Sequence, residues 1–332
     1  MISVVAPVFN ESASLPMLYE RLIPVLRGLE MEYEIIFVDD GSRDRSTEVV
    51  KELLARDPRV RLLSFSRNFG HQAAITAGLD HSRGDAVVVM DSDLQHPPEL
   101  IPKLVEKWRQ GCDLVYTVRE DTEDATAFKK FTSRTFYRVL NWFSYTPIPA
   151  NSADFRLLDR RVVTAFGNIR ERTRFMRGLT GWVGFKSIGV PYTAESRKAG
   201  VSSYNLKKMM RLGIDGIVSF STVPLYLAIY FGFIEAGLGF LYGLWVLGVK
   251  LFNALGWTSV RLEPGWTSVI LLITIAGGIQ FILIGVLGVY LGKVYEEVKQ
   301  RPLYLLREMV GFEEDETRAR AVVVTEHERI RR

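Results

Sequence analysis

The sequence predicts an α/β domain followed by two membrane-spanning helices. Short β-branched runs alternate with helical stretches over roughly the first 200 residues, which is typical of parallel strands joined by helical crossovers. Two later stretches are longer and more apolar than a buried helix of a soluble domain, and the mean hydropathy of the chain is +0.08. We divide the chain into an α/β domain (1–204), an interfacial amphipathic helix (205–220), two membrane spans (221–292) and a tail (293–332).

Five strands and two helices can be placed in the first domain. The strands are predicted at Ile2–Pro7, Glu34–Val38, Arg61–Ser66, Ala86–Met90 and Leu114–Thr117. The helices are predicted at Leu15–Leu29 and Ser46–Arg56, where apolar residues recur at spacings of three and four. Ligands of such sheets gather at the carboxyl ends of the strands, so we expect the chemistry in the residues that follow each strand.

The two apolar stretches are Gly216–Val249, whose only charged residue is Glu235, and Pro264–Gly292, which has none. Each exceeds the about 20 residues that a membrane-spanning helix needs; the alternative is a hydrophobic hairpin in a soluble core. Lys and Arg cluster before the first stretch and after the second, whereas the loop between them has few. Because such flanks stay in the cytoplasm, we expect both termini and the α/β domain on that side.

The segment Leu206–Phe220 lies just before the first span and mixes apolar residues with lysines. This pattern is typical of a helix that lies on the surface of the inner leaflet, so we expect contact with the lipid bilayer. The alternative is an ordinary surface helix of the α/β domain.

The composition excludes several classes of protein. A single cysteine, Cys112, cannot form an intramolecular disulfide or a four-thiolate zinc site. The net charge is +4, from 42 Lys and Arg against 38 Asp and Glu, which does not favour a nucleic-acid partner. The content of glycine, proline and apolar residues excludes a disordered or collagen-like chain.

Two carboxylates, Asp91 and Asp93, follow the apolar run Val87–Met90. They lie on the same side of the chain if it stays extended. Such carboxylates repel each other unless a hard divalent cation joins them, and Mg²⁺ commonly binds one or two carboxylates together with phosphate oxygens. The pattern therefore predicts a metal-bridged diphosphate, although an Asp-x-Asp pair alone is a weak signal and the other polar strand ends also suit turns and helix starts.

Four motifs occur in order along the α/β domain: Pro7-Val8-Phe9-Asn10-Glu11, Asp39-Asp40-Gly41-Ser42, Asn68-Phe69-Gly70 and the run from Asp91 to Glu99. Together they resemble the GT-A glycosyltransferases of family 2. With two C-terminal spans, the chain is similar to the polyprenyl-phosphate glycosyltransferases, which include bacterial undecaprenyl-phosphate glucosyltransferases and dolichyl-phosphate mannose synthases. The resemblance covers nearly all of residues 1–310, and it implies a GT-A (Rossmann-like) catalytic domain at a bacterial inner membrane.

The resemblance implies roles for the residues of these motifs. On the nucleotide-sugar side, it assigns Pro7, Glu11, Asp40, Asp91 and Ser92 to the donor. Asp91 and Asp93 would bracket the diphosphate and its Mg²⁺ or Mn²⁺, with Gln95 as a further metal ligand and Asp93 counted among the catalytic residues. The metal would stabilise the departing nucleoside diphosphate during inverting transfer.

Asp154, in Ala153-Asp154-Phe155-Arg156-Leu157, matches the family position of a catalytic carboxylate. A polyprenyl phosphate is already mostly ionised near neutral pH, because its second pKa is about 6. Asp154 is therefore expected to act either as a base or through acceptor-side electrostatics. The alternative is the N-cap of a helix over Leu158–Phe166.

An anionic lipid phosphate needs cations close to the membrane, and arginine suits phosphate best. The expected lipid-phosphate residues are Arg119, Arg134, Arg197 and Ser202, the last two in a segment that resembles the family's Arg-x-x-Gly-x-Ser element. Taken singly, each arginine could equally be a solvated surface residue.

The resulting prediction is inverting, metal-dependent transfer of a hexose, with glucose from UDP-glucose as first choice, to polyprenyl phosphate on the cytoplasmic face. One alternative is a GDP-mannose-dependent synthase of the same branch. A processive polysaccharide synthase would show a Gln-x-x-Arg-Trp element and more spans. A non-catalytic membrane scaffold would not need Asp91, Asp93 and Asp154 together.

The tail contains a short β-branched run, Ala321–Thr325, after the acidic cluster Glu313–Glu316. A lone strand must pair with an exposed sheet edge, and glycines in both spans favour close helix contacts between copies. We therefore expect a homo-oligomer, with a tetramer as first choice, in which the tail crosses to a neighbouring subunit. A disordered tail is the alternative.

Overall fold

The computed structural model describes residues 1–119, 152–172, 174, 176–193, 222–257 and 265–313. The chain divides into two compact units, Met1–Gly216 with Arg301–Arg332, and Ile217–Gln300. The interfacial helix at 205–220 and the tail strand at 321–325 lie outside the described residues, so both stay predictions.

The first unit contains an eight-stranded sheet and six helices among the described residues. The strands are β1 (Ile2–Val8), β2 (Tyr33–Asp39), β3 (Val60–Phe65), β4 (Ala86–Val89), β5 (Leu114–Arg119), β6 (Ser152–Asp159), β7 (Ser187–Tyr192) and β8 (Leu306–Val310). The helices are α1 (Leu15–Gly28), α2 (Ser46–Arg56), α3 (His71–His81), α4 (Ile101–Arg109, after a 3-10 turn at Pro98–Leu100), α5 (Arg160–Asn168) and α6 (Met176–Trp182).

The sheet has the order β7-β5-β6-β4-β1-β2-β3-β8, with β1 to β4 parallel at its centre. Every residue of β1 and β2 is buried, as expected for strands covered by helices on both faces. The five strands and two helices that the sequence predicts are all present, with ends that differ by two residues at most. This arrangement confirms the predicted α/β, Rossmann-like fold class.

Strand β6 lies between β4 and β5 and is antiparallel to both. The alternation of strands and helices along the chain does not predict this insertion. The register pairs Ala86 with Asp159 and Val89 with Arg156. The first residues of β6 therefore lie at the carboxyl end of β4, where the ligands of an open α/β sheet bind.

Strand β8 belongs to the segment that the sequence assigns to the tail, yet it adds to the eight-stranded sheet of the first unit, antiparallel to β3. Just before it, the Tyr304 ring stacks on Phe65 with centroids 5.2 Å apart, and its hydroxyl donates to Asp80 Oδ2 at 2.9 Å. Just after it, Phe312 contacts His81 and Arg61. The residues from Tyr304 to Phe312 thus form an integral part of the first unit.

The second unit contains two long helices, α7 (Val223–Ala254) and α8 (Trp266–Val298). The portions that could cross a membrane are Val223–Ala254 and Leu272–Val298, with mean hydropathies of 1.6 and 2.3. The most apolar part of each is not buried by the residues that the structure describes. Both helices are long and apolar enough to cross a membrane, in agreement with the two predicted spans.

Candidate active site

The turn after β1 is tied to the loop after β2 by side-chain hydrogen bonds. The backbone N–H of Asn10 donates to Ser42 Oγ at 3.0 Å, and that of Glu11 donates to Ser46 Oγ at 2.9 Å. Ser14 in turn donates to the Glu11 carboxylate at 2.7 Å. The first two sequence motifs are therefore held together at one edge of the sheet.

Asp40, at the end of β2, binds the loop that follows β3. Its carboxylate accepts hydrogen bonds from the backbone N–H groups of Phe69, at 2.6 Å, and Gly70, at 3.0 and 3.1 Å. Burial raises the pKa of Asp40 even though these hydrogen bonds oppose the shift. The next residue, Gly41, has φ +71°, and a Cβ there would lie 2.6 Å from the carbonyl carbon of Arg67. The second and third motifs thus form one packed corner.

The segment after β4 bends rather than staying extended. The N–H of Asp91 donates to His96 Nδ1 at 3.0 Å, the N–H of Gln95 donates to Asp93 Oδ1 at 3.1 Å, and buried Leu94 adopts φ 65°. Ser92 Oγ donates to the carbonyl of Pro7 at 2.8 Å. The two carboxylates are consequently positioned by a hydrogen-bonded turn that is also anchored to β1.

Asp91 and Asp93 suit a divalent cation. Oδ1 of Asp91 is buried and accepts no hydrogen bond from the described residues, although His71 Nε2 lies 3.3 Å away, so this oxygen could bind a cation. The described residues contain no group of three or more His, Cys, Asp and Glu side chains arranged to hold a metal. This donor set fits Mg²⁺ or Mn²⁺ carried by a phosphate ligand, since such ions keep few protein ligands.

Asp154 lies in β6, two residues before Arg156, which pairs with Val89, the last residue of β4. It is therefore not the N-cap of a helix over Leu158–Phe166. That cap is Asp159, which accepts a hydrogen bond from the backbone N–H of Arg161, and the helix begins at Arg160. The antiparallel insertion of β6 is what brings the two carboxylates together.

Two arginines hold the Asp154 carboxylate. Arg156 Nη2 lies 3.0 Å from Oδ1, and Arg177 contacts both oxygens, with Nε 3.2 Å from Oδ1 and Nη2 3.3 Å from Oδ2. Burial alone would raise the pKa of Asp154, but the charges of Arg177 and Arg156 outweigh it and hold the pKa well below its usual range. Asp154 is therefore a carboxylate at any physiological pH.

His71, the first residue of α3, lies between the two carboxylates. Its Nε2 atom is 3.3 Å from Asp91 Oδ1 and 3.9 Å from Asp154 Oδ2. His96 packs beside this site, because its ring stacks on that of Phe155, the residue next to Asp154, with centroids 5.2 Å apart. The end of β4, the start of β6 and the start of α3 thus converge on one site.

Known proteins resemble this chain over most of its length. The family model for glycosyl transferase family 2 matches residues 3–167. An uncharacterized glycosyltransferase of Bacillus subtilis is 46% identical over 311 residues, which cover 94% of each chain. The chain belongs to glycosyltransferase family 2. It is a glycosyltransferase with the GT-A fold, and it has two helices able to cross a membrane.

Other family relatives carry more specific names. A prophage-derived bactoprenol glucosyl transferase of Shigella flexneri is 42% identical over 307 residues, covering 92% of this chain and 97% of the relative. Among solved structures, glucosyl-3-phosphoglycerate synthase of Mycobacterium tuberculosis aligns with a TM-score of 0.45 and 17% identity, covering 66% of this chain and 77% of that one.

The structure brings together most of the family-motif residues predicted from sequence. Pro7, Ser92, Asp91, Asp93 and Asp154 meet around the carboxyl ends of β1 and β4. Arg119 is the last residue of β5. The pKa of the Tyr192 hydroxyl is affected by four nearby charges, those of Arg119, Arg177, Asp91 and Asp93. Glu11 and Asp40 lie at the neighbouring β1–β2 corner. Arg134, Arg197 and Ser202 fall outside the described residues, and the ligand roles of all these residues stay predictions.

Sequence reasoning missed His71, Arg177 and Tyr192. His71 directly follows the third motif, so its position at a helix start beside a motif could have indicated it. Arg177 belongs to the arginine-rich stretch Arg170–Arg177, and such a stretch by itself predicts only residues exposed to solvent. Tyr192 ends an edge strand and carries no signal in the sequence.

Proposed function

We propose that this enzyme transfers a hexose, glucose as first choice, from UDP-glucose to a polyprenyl phosphate such as undecaprenyl phosphate. The observation that carries the proposal is that Asp91, on the donor side, and the arginine-bound Asp154 lie 3.3 and 3.9 Å from the same nitrogen, Nε2 of His71. The names of the bactoprenol glucosyl transferases, which match over most of this chain, support the lipid acceptor.

On the donor side, Asp91 and Asp93 would hold Mg²⁺ or Mn²⁺, with Gln95 nearby. When bound, the ion supplies positive charge that stabilises the departing nucleoside diphosphate. Ser92 keeps the carboxylates in place through its hydrogen bond to Pro7. The Asp40–Gly70 corner follows β2 and β3, which lie on the other side of β1 from this turn in the sheet, and it would receive the nucleoside.

On the acceptor side, the phosphate oxygen attacks the anomeric carbon from the face opposite the diphosphate, so the configuration inverts. Asp154 is a poor proton acceptor, because a base whose pKa is far below neutral binds protons weakly. The acceptor phosphate needs no base, since it is mostly ionised near neutral pH. We therefore assign Asp154 an electrostatic role and not that of a base.

The two apolar helices would place this reaction at a membrane. The basic residues that flank them favour a cytoplasmic location for the catalytic unit and both termini, and we assign the protein to a bacterial inner membrane as part of this proposal. Nucleotide sugars are made in the cytoplasm, so donor and catalytic unit would share one compartment.

The test is a matched panel of donors and acceptors. Purified protein in detergent or nanodiscs is incubated with Mg²⁺ or Mn²⁺, undecaprenyl phosphate, and UDP-glucose, UDP-galactose, UDP-N-acetylglucosamine or GDP-mannose, and lipid products are identified by mass spectrometry. We expect a glucosyl monophosphate lipid with UDP-glucose. A product only with GDP-mannose would replace the donor, and no lipid product with any donor would overturn the proposal.

A further inference from the structure

His71 is the first residue of α3, and the fold fixes its backbone at the carboxyl edge of the sheet. The preceding residue, Gly70, donates its N–H to the Asp40 carboxylate. Further along the helix, Gly78 packs so closely on β1 that an added Cβ would overlap the side chain of Val5. The His71 side chain therefore starts from a backbone that is anchored at both ends of its helix.

The imidazole of His71 has no hydrogen-bond partner among the residues that the structure describes. Its Nε2 atom lies 3.3 Å from Asp91 Oδ1, yet that oxygen accepts no hydrogen bond, and the 3.9 Å to Asp154 Oδ2 is too long for one. The side chain is 41% exposed, so a ligand can reach it. The ring is thus held beside two carboxylates with its own hydrogen-bonding capacity unused.

The two carboxylate oxygens determine which form of the ring is favoured. A lone pair on Nε2 would repel both oxygens, whereas an N–H at this position is attracted to them. The ring therefore carries a hydrogen on Nε2, whether or not Nδ1 is protonated as well. His71 consequently presents an N–H donor to the site.

The transfer reaction develops negative charge at one oxygen. The bond between the anomeric carbon and the diphosphate oxygen breaks, and its electron pair stays on that oxygen. An oxygen of the acceptor phosphate forms the new bond to the carbon and loses negative charge. A hydrogen-bond donor at the departing oxygen therefore stabilises the transition state, whereas a donor at the attacking oxygen would weaken the nucleophile.

The distances place the Nε2–H donor on the side of the departing group. Nε2 is closer to Asp91, to which we assign the diphosphate, than to Asp154, to which we assign the acceptor side. The departing oxygen belongs to the diphosphate and is bonded to the transferred carbon, so it lies where the donor side meets the acceptor side. Nε2 is within 4 Å of a carboxylate oxygen from each of these sides.

We propose that His71 is a catalytic residue, which donates its Nε2–H to the diphosphate oxygen that departs from the anomeric carbon. This inference rests on the proposed function, because it requires a sugar nucleoside diphosphate as the donor. The hydrogen bond is strongest when that oxygen is charged, so its free energy is realised mainly in the transition state and in the product.

The main experiment compares the binding of UDP with that of UDP-glucose. In UDP-glucose the departing oxygen is bonded to carbon, whereas in UDP it is a charged terminal oxygen of the β-phosphate. His71→Phe keeps a ring but removes the donor. By calorimetry with Mg²⁺ present, we expect this variant to raise the Kd of UDP at least about tenfold and that of UDP-glucose no more than about twofold.

His71→Gln and His71→Asn form a matched pair. The amide nitrogen of glutamine extends about as far as Nε2 of histidine, whereas that of asparagine extends only about as far as Nδ1. We expect His71→Gln to keep UDP affinity and kcat within about threefold of the wild type. His71→Asn should resemble His71→Phe, with kcat at least about tenfold lower and both Michaelis constants within about twofold of the wild type.

The outcomes separate this assignment from the proposed function. A wild-type enzyme that binds neither UDP nor UDP-glucose overturns the proposed donor and with it the proposed function. A wild type that binds both, with His71 variants that lose equal affinity for UDP and UDP-glucose or none for either, overturns the catalytic role of His71. Equal kcat values for the Gln and Asn variants would also overturn it. Normal UDP-glucose binding shows that a variant is folded, and if His71→Phe does not fold, the Gln and Asn pair decides.

Discussion

Nε2 of His71 lies 3.3 Å from Oδ1 of Asp91, so the first side chain of α3 meets the first carboxylate after β4. The same nitrogen is 3.9 Å from Asp154 Oδ2. Three elements far apart in the sequence are thereby joined, because one imidazole nitrogen lies within 4 Å of a carboxylate that follows β4 and of a carboxylate in β6.

The first prediction concerns this imidazole. His71→Ala removes the group between Asp91 and Asp154, and we expect kcat/KM to fall at least about tenfold, since a polar contact with a charged group contributes about 1.5–3 kcal/mol. His71→Gln places an amide N–H near the position of Nε2 and should retain more activity. Steady-state kinetics of the two variants check this; equal losses would show that only the volume of the ring matters.

A second prediction concerns the donor-side carboxylates. Asp91→Asn should lower transfer at least about a hundredfold, because losing a ligand from a charge-stabilising site costs roughly 3 kcal/mol or more. Excess EDTA should abolish wild-type transfer, and Mg²⁺ or Mn²⁺ should restore it. Asp85→Asn, at the other end of β4, serves as the control and should retain activity. Full transfer in EDTA would contradict a metal role for Asp91 and Asp93.

The sequence predicts the part of the site to which we assign the donor better than the part to which we assign the acceptor. Asp40, Asp91 and Asp93 follow parallel strands, so a local pattern is enough to place them at one edge of the sheet. Asp154 is different, because its position depends on β6 entering the sheet antiparallel between β4 and β5. A motif match could suggest its importance, but no local pattern shows that it faces Asp91.

The sequence also does not predict β8, the last strand of the catalytic sheet. The run Leu306–Val310 is short and mixed in character, so periodicity does not identify it as a strand. It is stabilised by long-range contacts, such as those of Tyr304 with Phe65 and Asp80. Strand propensity depends on such partners, which only the folded structure supplies.

The third prediction tests the turn that ends β8. Gly311 has φ +85°, and a Cβ there would lie 3.0 Å from the carbonyl oxygen of Val60. Gly311→Ala should therefore destabilise the catalytic unit by about 1–2 kcal/mol. Gly28→Ala is the control, because a Cβ at this helical position meets nothing within 4 Å and alanine is the better helix former. Thermal unfolding in detergent should show a lower midpoint for the first variant only.

The fourth prediction follows from the buried carboxylate of Asp57. Burial would raise its pKa, but hydrogen bonds from Arg59 and Tyr19 prevail and lower it. A carboxylate whose pKa is lower in the folded state stabilises the fold above its unfolded pKa of about 3.9, and this stabilisation is lost as the pH falls through the folded pKa. Asp57→Asn should thus reduce the free energy of unfolding near about pH 7 and have a smaller effect near about pH 3.

Urea unfolding of both proteins at the two pH values checks this prediction. Glu20→Gln, which changes an exposed carboxylate on α1, is the control and should have little effect at either pH. An Asp57→Asn effect that is equal at both pH values would show that shape and not charge explains the contribution of Asp57.

The last prediction concerns the tail and the assembly of the protein. Strand β8 already covers the β3 edge of the sheet, so a further strand at Ala321–Thr325 would have to pair with β8, with the β7 edge or with a neighbouring subunit. Truncation after Glu313 leaves β8 and the Phe312 contacts in place, and it removes only the run that we expect to cross between copies. We expect the detergent-solubilised particle to shift to a smaller mass by light scattering, while the thermal midpoint of the catalytic unit stays the same.

Val323→Asp in the full-length chain should have the same effect on mass, because a charge within a short apolar strand opposes pairing. If neither variant changes the mass, the tail takes no part in assembly. The two apolar helices are then the next place to test for contacts between copies, because a Cβ added to Gly237 or Gly285 would meet no other atom of the described residues within 4 Å.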